Sequence, residues 1–273
     1  MTGRAPRTGA IPAAAVGLAS LVMLALLGLP VLTLVARAVL EGSLATSIGS
    51  LAVVDALVLS FATSAASLVL TVAFGTPLAW LLARRRPRGA ALIEAIVDLP
   101  IVLPPSVAGL ALLLLLGRQG PAGPLLAGFG LSIPFTTLAV VVAQTFVAAP
   151  FFIRAARAGF AEVDRELEEV ARVTGASEWQ VLTQVTVPLA AASLVAGMVM
   201  SWSRAVGEFG ATILFAGNVA GVTRTLPLLV YGQFQSGDLA ASVAAGAILG
   251  VAAFAVLVAV RSLGRDSWLQ GLR

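Results

Sequence analysis

The sequence predicts an all-α membrane protein with six transmembrane helices, and two observations lead to this prediction. Of the 273 residues, 59% are hydrophobic and 11% are charged, whereas soluble domains average about 45–50% and about 25%. Six apolar stretches also approach or reach the roughly 20 residues that a helix needs to cross a bilayer. These stretches are 11–39, 57–83, 101–116, 134–153, 189–209 and 239–260.

Two of the six stretches need separate justification. The first, 11–39, follows Arg4 and Arg7, and we interpret it as a retained span because it far exceeds the roughly 7–15 apolar residues of a signal peptide. The third is short and begins among Pro100, Pro104 and Pro105, so we expect an irregular start that protein shields from lipid. Residues 1–273 are predicted to form one membrane domain.

The distribution of arginine predicts that both termini are cytoplasmic, because positive charge accumulates on that side of a membrane. With the N-terminus inside, only Arg37, Arg118 and Arg224 fall on the outer face, and Arg204 lies within the fifth stretch. The remaining arginines all fall on the cytoplasmic face: Arg4, Arg7, Arg84, Arg85, Arg86, Arg88, Arg154, Arg157, Arg165, Arg172, Arg261, Arg265 and Arg273.

The composition narrows the chemistry available to this chain. It has no cysteine and no histidine, which excludes disulfides, zinc clusters and catalysis by either residue. It has no lysine, and therefore no Walker A lysine, so the chain itself cannot be a P-loop ATPase. We expect no bound cofactor or metal, and we attribute the net charge of +4 to membrane-facing arginines rather than to a nucleic-acid partner.

A polar segment, 164–188, separates the fourth and fifth stretches. Asp164 is the expected N-cap of a first helix. The glutamates in the first turns of this helix are stabilised by the positive end of the helix dipole. Spacing of i, i+3, i+4 and i+7 predicts an apolar face and a charged face on this helix. The apolar face holds Leu167, Val170, Ala171 and Thr174, and the charged face holds Glu168, Glu169 and Arg172.

A second short helix is expected after a turn in the polar segment. Gly175 is predicted to end the first helix in the left-handed conformation, and Ser177 with Gln180 has the spacing of a capping box. Pro188 is predicted to separate the second helix, which contains Trp179, from the fifth stretch. Periodicity alone favours an amphipathic connector on the membrane interface, and the alternative is a surface on which a partner docks.

A resemblance favours the docking surface. The residues that carry it are Glu169, Val170, Ala171, Gly175, Val185, Val187 and Pro188. Their spacing resembles the EAA signature of permease subunits of binding-protein-dependent ABC importers. The sequence departs from that signature by Val170 in place of alanine, and by Val185 and Val187 in place of isoleucine and leucine.

The resemblance implies a type I ABC importer permease fold, with 164–188 forming coupling helices that dock on a separate ATPase subunit. ATP and Mg²⁺ would bind to that subunit. It also implies a homodimer of this chain, two ATPase copies and an external oxyanion-binding protein, in a prokaryotic cytoplasmic membrane. The residues then expected at the ATPase contact are Glu168, Glu169, Ala171, Arg172, Thr174, Gly175, Ala176, Ser177, Trp179 and Pro188.

Two longer stretches resemble one branch of that family. DLPIVLPPSVAGLALLLLLGRQGP (98–121) and VGEFGATILFAGNVAGVTRTLPLLVY (206–231) are similar to molybdate permeases, with sulfate/thiosulfate permeases as the nearest cousins. The resemblance implies molybdate or tungstate as cargo and leaves sulfate open. Such a tetrahedral oxyanion needs hydrogen-bond donors, and preferably a fixed positive charge, along its route.

Arg204 and Glu208 lie one helical turn apart in the fifth stretch, where ionisable residues indicate function. Either they only neutralise each other, or Arg204 faces a water-filled cavity and attracts anions while Glu208 holds its orientation. Ser201 and Thr212 either add neutral donors to this translocation pathway or serve as small packing residues.

Helix breaks are expected at two places. Gly207 and Gly210 predict a break at the outer face, where Phe209 is either a gate plug or an interfacial anchor. Pro104 and Pro105 are expected at the cytoplasmic side, as a packing kink or a gate hinge.

Two outer segments, 117–130 and 217–238, are expected to meet the binding protein, with a lipid-facing anchor as the alternative for the second. The contact residues are predicted to be Gly117, Arg118, Gly120, Asn218 and Arg224.

Two other classes of membrane protein are less favoured. In a transporter driven by an ion gradient, the EAA-like segment would have no purpose, and acids within the apolar stretches are scarce apart from Glu208. A membrane enzyme is disfavoured because no nucleophile motif such as G-x-S-x-G occurs.

Overall fold

The computed structural model describes residues 13–85 and 87–270, and this part of the chain consists of helices without strands. Within these described residues, four helices are long and apolar enough to cross a membrane, and two bent pairs raise the number of spans to as many as six. The four are α1 (Ala13–Leu40), α3 (Leu51–Arg84), α7 (Thr137–Glu162) and α14 (Leu239–Gln270). The predicted all-α class is confirmed for this part of the chain.

The first bent pair joins α4 (Ala90–Val102) to α5 (Pro105–Leu116) with a bend of 116°, and the second joins the run Glu178–Leu189 to α11 (Ala191–Val206) with a bend of 74°. The shorter helices are α2 (Ser43–Ser47), α6 (Gly123–Gly128), α8 (Arg165–Val173), α9 (Glu178–Val181), α10 (Val187–Leu189), α12 (Gly210–Phe215) and α13 (Leu226–Gln235). Arg4, Arg7, Arg86 and Arg273, which entered the topology prediction, lie outside the described residues.

Helix α7 lies at the centre of the bundle and contributes to two apolar clusters. One cluster joins it to α5 and α12 around Ala143, Val147 and Phe215. The other joins it to α3 and α11 around Phe152 and Phe160. Helix α1 is peripheral, and most of its leucines are exposed, as expected of a helix that faces lipid, where apolar side chains need no protein partner.

Two glycines allow α11 to approach α7 closely. A Cβ atom on Gly159 would collide with the Cβ atom of Ser193, and one on Gly197 would lie 2.8 Å from the Cβ atom of Ala155. Small residues at such positions let transmembrane helices pack backbone to backbone. The two helices are therefore antiparallel neighbours, and the polar segment 164–188 joins them at what we call the polar-segment end. The other end, which carries α6, α12 and α13, is the opposite end.

The predicted third span, 101–116, differs from the structure. Residues 90–102 form a separate helix that packs along α7, where Arg157 lies 3.0 Å from Glu94 and Arg154 lies 3.7 Å from Asp98. The chain then breaks at Leu103, whose ψ of 134° is extended. The residue before a proline is sterically excluded from the helical region, so the proline pair ends one helix and begins another within the span.

Candidate functional site

The polar segment folds through local caps, and each predicted cap is confirmed. The Asp164 carboxylate accepts a hydrogen bond from the Glu166 N–H at 3.0 Å. Gly175 has a φ of +99°, a conformation that costs glycine little and other residues more. Ser177 and Gln180 form a reciprocal capping box, with hydrogen bonds of 3.3 and 2.8 Å. Two short helices at a fixed angle are the result.

Helix α8 presents its apolar face outward, which reverses the usual pattern of burial. Leu167, Val170 and Val173 are 49%, 62% and 89% exposed, whereas Glu168 is buried at 4%. The sequence predicts one charged face that Glu168 shares with Glu169, but the structure buries Glu168 and exposes Glu169, because a partner within the chain contacts Glu168.

That partner is Arg84, the last residue of α3. Its Nη2 atom lies 2.8 Å from Glu168 Oε1 and donates a hydrogen bond of 2.9 Å to the Val163 carbonyl. The Thr186 hydroxyl donates to the same Glu168 oxygen at 2.8 Å, and Arg172 lies 3.6 Å from the other. The Glu168 carboxylate is therefore fully engaged inside the chain and is closed to an external contact.

The other residues predicted for the ATPase contact lie at or near the surface of the same segment. Arg172 donates a hydrogen bond of 2.8 Å to Glu178, which raises the pKa of Arg172 and lowers that of Glu178, so both stay charged near neutral pH. Trp179 is 71% exposed. Glu169, Thr174, Gly175, Ser177 and Pro188 are exposed, while Ala171, Arg172 and Ala176 are half-buried.

The predicted break at Pro188 falls instead at Ala190. Pro188 lies in the first turn of α10, where a missing N–H leaves no hydrogen bond unmade. A π-helical turn at 182–186 connects α9 to α10 without interruption. The second helix of the segment therefore runs to Leu189 before the chain bends into α11.

The predicted break at Gly207 and Gly210 is confirmed, since α11 ends at Val206 and α12 begins at Gly210; its position at the outer face stays a prediction. The Glu208 side chain contacts the helices on both sides of the break. The buried Glu208 side chain uses Oε1 to accept the Ala211 N–H at 2.7 Å, which caps the start of α12. Its Oε2 lies 2.6 Å from Arg204 Nη1, an ion pair without hydrogen-bond alignment. Arg204 and Glu208 are thus paired, while the Arg204 side chain stays 29% exposed.

The two helix breaks meet each other. A Cβ atom on Gly210 would lie 2.7 Å from the Pro105 Cβ atom, and one on Gly109 would lie 2.5 Å from the Ala211 carbonyl oxygen. The expectation that Pro104 and Pro105 lie at the opposite face from Gly210 is therefore wrong. Because α4 first runs along α7, the proline pair reaches the level of Gly210 before α5 begins.

The remaining predicted pathway residues are largely buried. The Ser201 hydroxyl donates to the Ala148 carbonyl at 3.0 Å, which favours packing over contact with a cargo. Thr212 is fully buried. Phe209 packs against Tyr231 of α13, with ring centroids 4.8 Å apart, so the break is covered by an aromatic pair.

The residues predicted to meet a binding protein lie at the opposite end in two groups. Gly117, Arg118 and Gly120 line a cavity of about 780 Å³. Asn218 and Arg224 instead contact each other, with a hydrogen bond of 2.9 Å that closes their own loop.

Sequence reasoning missed the role of Arg84, which it counted only as one of several basic residues. The sequence offered one indication of this role. The family signature begins with a single glutamate, whereas this chain has two adjacent glutamates, Glu168 and Glu169. Which of the two turns inward depends on an arginine on another helix, and periodicity along one helix carries no information about that.

A family model described as the binding-protein-dependent transport system inner membrane component matches residues 75–267. The chain belongs to this family. The family membership that the EAA-like segment predicted is confirmed. The chain is a permease subunit of a binding-protein-dependent ABC importer.

Relatives and solved structures agree with this family. The molybdenum transport system permease protein ModB of Mycobacterium bovis is 44% identical over 205 residues, 75% of this chain and 77% of that protein. The "Probable sulfate transport system permease protein cysT" of Anthoceros angustus is 33% identical over 220 residues, 81% and 76% of the two chains. Both relatives are named as permease proteins.

The fold is similar to that of an importer of known structure. A chain in the crystal structure of a bacterial alginate ABC transporter, in complex with an alginate pentasaccharide-bound periplasmic protein, superposes with a TM-score of 0.74. The match covers 92% of this chain and 93% of the other at 17% identity. This likeness shows the fold, and together with the family match over residues 75–267 it confirms the predicted type I ABC importer permease fold.

Proposed function

We propose that this chain is the membrane-spanning subunit of an ATP-driven importer of molybdate or tungstate, and that 164–188 is the surface on which its ATPase docks. The single observation that carries this proposal is the reversed burial of α8. A surface helix without an external partner would turn Leu167, Val170 and Val173 toward the bundle and away from water. Here all three side chains are exposed, and Glu168 is buried. An exposed apolar patch rimmed by charge is typical of a protein interface.

The proposal includes six spans with both termini in the cytoplasm. Each bent pair then contributes to one span, which gives α1, α3, α4 with α5, α7, α11 and α14. The polar-segment end carries most of the described arginines and is assigned to the cytoplasm by the positive-inside rule. The opposite end, with the cavity beside Arg118, faces the external binding protein. A second copy of the chain completes the pore, and two ATPase subunits supply ATP and Mg²⁺.

Transport then proceeds by alternating access. Nucleotide-driven closure of the ATPase pair moves the polar segments, and the helix breaks at Pro104 and Gly207 change their packing as the pore reorients. Arg204 is the candidate that meets the anion, because its side chain is exposed on one side and held by Glu208 on the other. This chain makes and breaks no covalent bond.

Molybdate is favoured over sulfate by the relatives. Proteins named as molybdenum permeases reach 44% identity, against 33% for the sulfate permease of Anthoceros angustus. Sulfate import is the second candidate function, because that relative covers a larger share of this chain.

The test is uptake of radiolabelled molybdate by proteoliposomes that hold this chain, its cognate ATPase and its binding protein. We expect uptake that requires ATP, is blocked by excess tungstate and is spared by excess sulfate. Competition by sulfate would reassign the cargo to sulfate. Uptake driven by an ion gradient without ATP would contradict the importer assignment.

The docking surface is tested separately by charge reversal. Glu169→Arg places a cation on the outward side of α8, and we expect weaker co-purification of the ATPase. Glu162→Arg makes the same charge change at an exposed residue that ends α7, just outside 164–188, and serves as the control. Equal recovery of the ATPase with both variants would remove Glu169 from the interface.

A further inference from the structure

One buried ion pair ties the polar segment to the transmembrane bundle. Arg84 Nη2 lies 2.8 Å from Glu168 Oε1, and the two side chains are 7% and 5% exposed. The same nitrogen donates to the carbonyl of Val163, the C-cap residue directly after α7. One guanidinium therefore holds together the end of α3, the end of α7 and the first turn of α8.

The carboxylate extends this connection to a fourth element. Thr186 lies in the π-helical turn that leads into α10 and α11. Its hydroxyl donates a hydrogen bond of 2.8 Å to Glu168 Oε1. Every transmembrane helix that adjoins the polar segment in sequence, together with α3, is thus linked to Glu168. Glu169 next to it points outward and is exposed. Of the two adjacent glutamates, Glu169 faces the proposed partner and Glu168 faces the bundle.

Because the Arg84–Glu168 pair is buried, its two side chains are costly to separate. Two opposite charges separated inside protein lose far more interaction energy than a pair at the surface, because the effective dielectric constant is lower there. Removing one partner of a buried pair leaves an uncompensated charge, whereas replacing both with apolar residues is often neutral for stability. A displaced α8 must therefore carry Arg84 with it rather than leave it behind.

Helix α3 can pass such a displacement to the opposite end. The Ser60 hydroxyl oxygen accepts the Leu226 N–H at 2.7 Å, which fixes α3 to the start of α13. Tyr231 of α13 packs on Phe209 at the break between α11 and α12. A contiguous chain of contacts therefore runs from the polar segment through α3 to that break, and coupling between distant sites is carried by such packed elements.

We infer that the Arg84–Glu168 pair is the link by which movement of the polar segment reaches α3 and the helix break beyond it. This inference rests on the proposed function, since it requires an ATPase that moves the segment. Arg84 and Glu168 are positioning residues, and neither touches the ATPase or the cargo. Their loss should leave the complex assembled and hydrolysing ATP, but with less transport for each ATP consumed.

The test compares three variants with the wild-type complex in proteoliposomes. Glu168→Gln keeps the size of the side chain and an acceptor for Thr186 but removes the charge. The double variant Arg84→Met with Glu168→Met replaces the pair by apolar side chains. Arg88→Gln, at a neighbouring exposed arginine, is the control. Co-purification of the ATPase, thermal stability, ATP hydrolysis and molybdate uptake are measured for each.

We expect Glu168→Gln to lower uptake per ATP roughly tenfold, within the range seen when mutations interrupt a coupling network, with the ATPase still bound. The double methionine variant should recover the thermal stability of the wild type but not its uptake per ATP. Arg88→Gln should behave as wild type. Uptake per ATP that recovers together with stability in the double variant would overturn the inference, because the pair would then be only structural.

A second measurement does not depend on these variants folding. Because the chain has no cysteine, spin labels can be placed at Arg85→Cys and Glu166→Cys alone. If α3 and α8 move as one unit, the distance between the labels is the same with and without ATP bound to the complex. A distance that changes with nucleotide would overturn the link. An absence of ATP-driven uptake by the wild type would instead contradict the proposed function.

Discussion

Glu208 makes two contacts at once, because it caps α12 through the Ala211 N–H and pairs with Arg204 one turn earlier. The first contact fixes where α12 begins. The second compensates a negative charge that is otherwise buried at the helix break. A buried carboxylate without a cation is unfavourable in a low-dielectric interior, so the stability of the break and the position of Arg204 are coupled at this one residue.

Arg204→Gln is therefore expected to lower both stability and transport. Loss of the cation leaves Glu208 buried and unpaired, which should cost about 2 kcal/mol, below the usual cost of breaking a fully buried pair because Arg204 is partly exposed. The melting temperature in detergent and molybdate uptake measure the two effects. Arg118→Gln, at an exposed arginine of the opposite end, is the control for stability. Intact uptake with a lowered melting temperature would leave Arg204 a structural role only.

At the scale of elements, the two helix breaks pack against each other. Helix α5 begins at Pro105 and α12 begins at Gly210, and the two starts touch because neither residue at the contact carries a large side chain. Gly109 lets α5 lie against the backbone of α12 over the next turn. Irregular backbone inside a membrane requires shielding by protein, and here each break shields the other.

Gly109→Val is expected to force α5 and α12 apart. Its Cβ atom would lie 2.5 Å from the Ala211 carbonyl oxygen, and overpacking of this kind typically costs about 1–3 kcal/mol. Gly28→Val in α1 makes the same substitution where the new Cβ atom meets nothing beyond its own helix within 4 Å, and it should be nearly neutral. The melting temperatures of the two variants in detergent give the comparison. Equal melting temperatures would argue against the close contact of α5 with α12.

The sequence predicts the caps of the polar segment, but it does not predict the direction in which α8 faces. Asp164, Gly175 and Ser177 act on residues no more than a few positions away, so their roles follow from the local sequence. The direction in which α8 faces depends on Arg84, 84 positions before Glu168 (168 − 84), and that pairing leaves no periodic signal. The same reason accounts for Pro105 and Gly210, whose contact follows from the path of α4 along α7.

At the scale of the whole molecule, the arrangement of the two ends predicts the orientation of the chain. Gly128→Cys places a thiol at an exposed position of the opposite end, where the new Cβ atom meets nothing beyond its own helix within 4 Å, and Glu166→Cys places one on exposed α8. A membrane-impermeant maleimide should label the first variant in intact cells and the second only after permeabilisation. The wild type has no cysteine and should give no label in either case. The reverse pattern would invert the assigned topology.

The outward apolar face of α8 also bears on how cells control the amount of this protein. A subunit made without its ATPase leaves Leu167, Val170 and Val173 in contact with water, and exposed apolar surface is what chaperones and proteases recognise in unfolded chains. Orphan copies should therefore be degraded faster than assembled ones. Pulse-chase labelling with and without co-expressed ATPase measures the two half-lives, and equal half-lives would contradict this expectation. The proposed docking face would then also act as a degradation signal, so that surplus membrane subunits are removed until their number matches that of the ATPase.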